Sequence, residues 1–107
     1  MSDRLLKVLG FGSEFWNTWR EEHADVPIVF DGADLSGMIL TGIDFSSASL
    51  RGARLHATNL MNADLRGADF TDADLTEADL IGAKLQSLKA APTYVSLVRK
   101  AFRPANR

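Results

Sequence analysis

The sequence carries an apolar residue at every fifth position over more than half of its length. The register runs without a break from Phe30 to Leu85. The positions are Phe30, Leu35, Leu40, Phe45, Leu50, Leu55, Leu60, Leu65, Phe70, Leu75, Leu80 and Leu85. A second column lies two residues before each of these, and alanine fills eight of its twelve positions. A fold for this chain must bury both columns.

A five-residue period fits neither of the regular elements. An α-helix turns about 100° per residue, so five steps rotate each Leu by about 140° and scatter the set around the axis. A flat strand alternates faces, so a step of five would place alternate Leu residues on opposite sides of a sheet. We therefore predict that the chain bends after every five residues and closes into a stacked coil with both columns inside.

The cleanest copies of the unit read Ala-Asp-Leu-x-Gly, at residues 33–37 and 63–67. In these copies, and across residues 28–87, the chain resembles the pentapeptide-repeat family. The resemblance implies an all-β solenoid, a right-handed quadrilateral β-helix with one pentapeptide per side and four per coil. Residues twenty apart would stack at roughly 4.8 Å, which gives about three coils in a rod of about 14 Å. Because so few coils bury little surface, we expect short helical caps at both ends.

Residues 1–27 are predicted to form the N-terminal cap. A helix is expected over residues 13–23, where Phe15, Trp16 and Trp19 would form one aromatic face. We predict that this face closes the N-terminal opening of the rod. An aromatic binding platform is the alternative interpretation.

Residues 88–107 are predicted to form an amphipathic helix followed by a basic tail. Pro92 suits the first turn of a helix, and Val98 and Phe102 belong to its apolar side. Three uses of this helix remain open: a cap over the last coil, an arm for a partner protein, or an arm for an anionic membrane surface. Membrane-surface attachment is therefore one alternative function.

One side of a four-sided coil would present Ile39, Met61 and Ile81 outward. The other sides present mainly Asp, Ser, Thr, Arg and Gly. Because a clustered apolar patch usually marks a contact, these three residues are the candidate protein-contact surface. Val98 and Phe102 would either cover the surface or meet the same partner.

Aspartate recurs immediately before the inward Leu or Phe. One interpretation is that these short side chains bond to nearby backbone at each bend. The family resemblance implies another, since some pentapeptide-repeat proteins look like duplex DNA in shape and charge and bind DNA gyrase. The candidate acidic face for such mimicry consists of Asp64, Asp69, Asp74 and Asp79. A rod of about 14 Å would span only about four base pairs, which makes this the minor alternative.

Charge and composition exclude some of the remaining classes of function. The net charge is −2, but residues 31–87 carry nine acids and four bases, whereas residues 88–107 carry five bases and no acid. An acidic body repels phosphate, so direct nucleic-acid binding is not expected. The chain has no cysteine, which excludes disulfides and fits a reducing compartment. Because neither a secretory leader nor a membrane-spanning run is recognisable, a cytoplasmic location is expected.

The sequence contains few residues that could carry out catalysis or bind a metal. His23 and His56 are the only histidines, and no Gly-rich phosphate loop, metal-ligand spacing or catalytic triad appears. We therefore expect no enzyme activity, no metal and no cofactor. The prediction is a non-enzymatic module that presents a rigid surface to a protein partner or to a second copy of itself.

Overall fold

The computed structural model describes residues 3–90, which begin with two helices. Helix α1 spans Asp3–Leu9 and helix α2 spans Ser13–Glu22. Within residues 3–90, neither helix is long and apolar enough to cross a membrane. Residues 91–107, and with them Val98 and Phe102 of the predicted C-terminal helix, lie outside the described residues.

From residue 28 onward the backbone coils so that each outward residue lies beside the residue twenty positions later. Nine parallel bridges share this spacing: Val29–Ser49, Asp34–Arg54, Ile39–Asn59, Asp44–Asp64, Ser49–Asp69, Arg54–Asp74, Asn59–Asp79, Asp64–Lys84 and Asp69–Lys89. The constant separation gives four pentapeptides per coil and three coils over residues 28–87. Each bridge is isolated, and residues 3–90 contain no longer strand, because the chain bends again after every inward Leu or Phe.

Backbone hydrogen bonds join each coil to the next. Asn59, for example, donates its N–H to the carbonyl of Met38 at 2.9 Å, and its own carbonyl accepts from Leu40 at 2.8 Å. A third bond runs from the N–H of Gly42 to the carbonyl of Met61 at 2.8 Å. The same pattern recurs around the coils. Both polar groups of a bridging residue therefore point toward the preceding coil.

Every bend places one residue in the left-handed region. The residue two positions after each inward Leu or Phe has φ between 59° and 77°. Glycine fills six of these twelve positions, and the other six are Ser47, Ala57, Asn62, Asp72, Glu77 and Ser87. An L-residue in this conformation costs roughly 1–2 kcal/mol, which glycine avoids. The bends without glycine are therefore strained.

The two inward columns are largely buried, as predicted, although Ala33 and Met38 of the second column are only half-buried. Eleven of the twelve Leu and Phe side chains are at most 3% exposed, and Leu85, near the end of the described residues, is half-buried. Thr58 stands among the alanines of the second column and is fully buried. Its hydroxyl donates to the carbonyl of Leu35 at 2.8 Å, so this polar atom is satisfied inside the rod.

Trp16 of α2 closes the N-terminal opening. Its side chain is fully buried, with ring centroids 5.5 Å from Phe30 and 5.8 Å from Phe45. Leu5 and Leu9 of α1 are buried in the same apolar cluster. The two helices and the first coil thus share one core.

The predicted aromatic face of α2 is wrong for Phe15. Trp19 is partly buried and stacks on Trp16 at 5.5 Å, but Phe15 is 50% exposed. The ring of Phe15 instead packs on Phe11, with centroids 4.8 Å apart. Neighbouring residues on a helix point about 100° apart, so Phe15 and Trp16 cannot face the same core.

Replacing Glu77 by glycine is expected to stabilise the protein. Glu77 holds φ at 64°, and glycine removes that strain of about 1–2 kcal/mol at an entropic cost of about 0.5–1 kcal/mol. The reverse change, Gly37→Ala, is the matched control, because it lies in the same stack and an added Cβ would meet nothing within 4 Å. Urea unfolding should therefore show a higher midpoint for Glu77→Gly and a lower one for Gly37→Ala. Equal midpoints for the two variants would contradict the strain argument.

Trp16→Ala should destabilise the fold by about 3–5 kcal/mol, as expected for removal of a buried aromatic side chain. Trp16→Phe keeps most ring contacts and should cost clearly less. Phe15→Ala is the control on the same helix, since half of that side chain already lies in solvent. Chemical unfolding monitored by circular dichroism would measure all three. A loss for Phe15→Ala as large as that for Trp16→Ala would show that α2 packs differently.

Candidate interaction surface

Side chains of α2 replace the coil that would precede Asp44. The N–H of Asp44 donates to Oδ1 of Asn17 at 2.8 Å, and its carbonyl accepts from Nε1 of Trp16 at 2.8 Å. Nη1 of Arg20 donates to the carbonyls of Asp44 at 3.0 Å and Ser46 at 2.9 Å. This side of the first coil is therefore capped by polar groups as well as by the tryptophan.

On the other three sides of the first coil the bridging residues have no such cap among residues 3–90, although Nδ2 of Asn17 donates to the carbonyl of Gly42 at 3.0 Å, at the end of the next side. Val29, Asp34 and Ile39 occupy the positions equivalent to Asp44, and no described residue hydrogen-bonds to their backbone N–H or C=O groups. The residue before the inward Leu or Phe is polar at ten of the twelve repeats, and the exceptions are Val29 and Ile39. Ile39 is 75% exposed and Val29 39% exposed. The two repeats with an apolar residue at this position are therefore repeats whose bridging N–H and C=O groups have no partner among residues 3–90.

The structure brings Ile39, Met61 and Ile81 to one side of the rod. We call this side, built from residues 38–42, 58–62 and 78–82, the Ile39 face. Met61 and Ile81 stack in successive coils, since the N–H of Asn62 donates to the carbonyl of Ile81 at 2.9 Å. Both are half-buried, so Ile39 presents the most apolar surface of the three.

The recurrent aspartates bond to the backbone of their own bends, which confirms the structural interpretation. In seven repeats Oδ1 of this residue accepts the N–H two positions later, at 2.9–3.2 Å. The pairs are Asp34–Ser36, Asp44–Ser46, Asn59–Met61, Asp64–Arg66, Asp69–Thr71, Asp74–Thr76 and Asp79–Ile81. Asn59 shows that the bond needs an oxygen acceptor and no charge.

The predicted acidic face does not exist as one surface. Its members, Asp64, Asp69, Asp74 and Asp79, bridge four different partners and lie on four successive sides of the rod. Residues five positions apart lie on neighbouring sides of the rod, whereas residues twenty positions apart lie on the same side. Bases interrupt the set further, because Arg66 lies 2.7 Å from Asp64 and Arg51 lies 3.3 Å from Asp69. The structure provides no continuous acidic stripe for DNA mimicry within residues 3–90.

Hydrogen bonding lowers the pKa of four aspartates below the usual value of 3.8. In each, the largest cause is a side-chain hydrogen bond from the residue two positions later, and the backbone bond acts in the same direction. The four are Asp34, Asp64, Asp69 and Asp74. These carboxylates are stabilised in their charged form by the bend itself.

Neither histidine takes part in a metal or catalytic cluster within the described chain. His56 is exposed on the rod. Nδ1 of His23 lies 2.8 Å from the carbonyl of Trp19, and the two rings stack at 4.3 Å. In residues 3–90 no group of three or more His, Asp or Glu side chains could hold a metal ion.

The repeats match a family model described as "Pentapeptide repeats". The match comprises eight copies and covers residues 29–67 and 58–87. None of the curated proteins matches the chain. The family description thus agrees with the resemblance that the residues carry.

Three solved structures of pentapeptide-repeat proteins are similar to this chain. One, from the Arabidopsis thaliana thylakoid lumen, is 35% identical, covers 64% of this chain and 50% of its own, and has a TM-score of 0.58. One from the cyanobacterium Cyanothece 51142 is 33% identical over 60% of this chain and 40% of its own, with a TM-score of 0.45. One from Nostoc PCC 7120 is 28% identical over 79% and 91%, with a TM-score of 0.32. The chain therefore spans about half the length of the Arabidopsis protein.

Acid should unfold this protein through its bend aspartates. A carboxyl whose pKa is lowered in the folded state stabilises the fold above the unfolded value of 3.8, and that contribution is lost as the pH falls through the folded value. Asp74→Asn keeps an oxygen acceptor for Thr76 and removes the titration. We expect the free energy of unfolding of this variant to fall less steeply between pH 5 and pH 2 than that of the native chain.

Asp74→Ala is the matched control, because it removes the acceptor at every pH and should lower stability at pH 7. Urea unfolding across the pH series would separate the two effects. An acid dependence as steep in Asp74→Asn as in the native chain would contradict the assignment.

Proposed function

Because the chain belongs to the pentapeptide-repeat family, we propose that it is a non-enzymatic interaction module whose contact surface is the Ile39 face. For its finer architecture we propose the right-handed quadrilateral β-helix that the family resemblance implies. The observation that carries the function is Ile39, an isoleucine 75% exposed at a position where ten of twelve repeats hold a polar residue. Such a side chain is costly to leave in water without a partner.

Several groups on the Ile39 face support a contact there. Met61 and Ile81 extend the apolar area across the next two coils, on the same side as Ile39. Ile39 stacks on Asn59, and Met61 and Ile81 stack in the neighbouring column on the same side. The other outward residues of that side are polar or glycine, so the three apolar side chains have a polar surround. This combination of an apolar centre and a polar surround is typical of protein contact sites.

Backbone polarity favours a second copy of the chain as the partner. The N–H and C=O groups of Ile39 lie at the N-terminal edge and have no partner among residues 3–90, whereas α2 supplies partners for Asp44 and for the carbonyl of Gly42. An uncapped edge next to an apolar side chain is a template for pairing with another chain. Each copy carries the same edge, so two copies can meet through identical surfaces. A different protein that adds a strand at this edge is the other form of the proposal.

Ile39→Ser tests the proposal without disturbing the coil. Serine is tolerated at this repeat position, where Ser49 already stands in a bridge with Asp69. We expect the native chain to associate as its concentration rises, and Ile39→Ser to shift that association to concentrations on the order of tenfold higher. Light scattering coupled to size-exclusion chromatography over a concentration series measures the change.

Phe15→Ser is the control, because it removes a half-exposed apolar side chain from the outer surface of α2. It should leave the association unchanged. A native chain that stays monomeric throughout would contradict self-association. Equal weakening by both variants would show that general surface hydrophobicity, and not the Ile39 face, drives the contact.

A further inference from the structure

A groove of about 470 Å³ runs between the two N-terminal helices and the segment that leads into the first coil. Its described lining residues belong to the cap, and none of them is part of the Ile39 face. Its volume falls within the range of small-molecule sites in proteins, roughly 300–1,000 Å³. Nothing in the repeat pattern accounts for it, because the repeats begin only where the groove ends.

The lining of the groove divides into two chemical classes. The apolar members are Leu5, Val8, Trp19, Val26 and Pro27. The remaining members are Arg4, Lys7 and His23, all of them exposed at its surface. Among residues 3–90, no acidic residue lines the groove. An apolar floor with basic groups at its rim suits a ligand that is apolar along its body and anionic at one end.

The aromatic wall of the groove is held in place from two sides. Trp19 stacks on the buried Trp16 at 5.5 Å and on His23 at 4.3 Å with 15° between the rings. The carbonyl of Trp19 lies 2.8 Å from Nδ1 of His23, which fixes that ring beside it. Because these two rings cover the faces of Trp19, its indole edge is the part that lines the groove, and a wall that is already fixed costs no ordering when a ligand packs against it.

From this arrangement we infer that the groove binds a free medium-chain carboxylate, with the hydrocarbon chain along Val8 and Trp19 and the carboxylate at Arg4 and Lys7. An arginine or lysine bonded to a carboxylate forms one of the stronger hydrogen bonds in proteins. The site is independent of the Ile39 face, so it can be present whether or not the chain associates. The cap would thereby carry a second, ligand-binding activity on the same chain.

Titration of the full chain with decanoate, followed by calorimetry and by tryptophan emission, tests the inference. We expect saturable binding of one decanoate per chain together with a change in emission, because Trp19 lines the groove. Decanol, which has the same chain and no charge, should bind much more weakly. Absence of saturable decanoate binding, or equal binding of decanol, would overturn the inference.

Two charge-matched variants locate the site. Lys7→Glu should weaken decanoate binding on the order of tenfold, because it replaces the attractive charge by a repulsive one. Lys84→Glu makes the same change of net charge on an exposed residue of the rod and should leave binding unchanged. If the two variants weakened binding equally, the overall charge of the protein would explain the binding, and the proposed position of the site would be wrong. Circular dichroism of both variants checks that the fold is retained.

Discussion

The hydrogen-bond ladder between coils gives this fold a direction. Each bridging residue aims both its N–H and its C=O at the coil before it, as Asn59 does toward Met38 and Leu40. Interior coils satisfy these groups automatically, but the first coil has no predecessor. Buried polar groups without partners are costly, so the N-terminal end needs a cap that supplies donors and acceptors and not merely an apolar lid. Trp16 serves both purposes, since its ring fills the opening and its Nε1 bonds to the edge.

The same ladder explains why the bends tolerate residues other than glycine. The bend at Ala57 is held by the bond from its N–H to the carbonyl of Thr76 in the next coil at 2.8 Å, and the bend at Glu77 by the bond from the N–H of Thr76 to Oδ1 of Asp74 at 2.9 Å. Such bonds hold a residue in a backbone conformation that it would otherwise avoid. Glu77 and Ala57 therefore adopt φ values of 64° and 60° in a stack that begins with Gly37. The aspartates contribute to that restraint by accepting the N–H of the bend. Their charge is consequently occupied by local structure, and much less of it is free for a partner than the count of acids indicates.

The sequence predicts those features of the fold that repeat along the chain, and it does not predict those that depend on how separate elements pack. Both inward columns were predicted because burial repeats along the chain with a fixed period, whereas the four-sided coil needed the family resemblance. The predicted acidic face is wrong because each step of five residues moves the chain to the next side of the rod, so Asp64 and Asp69 lie on different sides. The predicted aromatic face is wrong for Phe15, because neighbouring residues on a helix point about 100° apart and residue type alone does not determine which of them faces the core. The groove between the helices could not be predicted, because it depends on how α1 packs against α2 in three dimensions.

The uncapped edge of the first coil is not uniform, and this limits what can pair with it. Asp34 places a charge on the side between those of Val29 and Ile39, and charge on an edge opposes strand addition. Val29 is about half as exposed as Ile39, so the Ile39 face remains the most favourable place for a second edge. Two copies that meet there present identical edges to each other, which closes the contact at two. An open-ended fibre would require the N-terminal edge of one copy to meet the opposite end of the next. Pairing through the Ile39 face therefore favours a dimer over a continuing assembly.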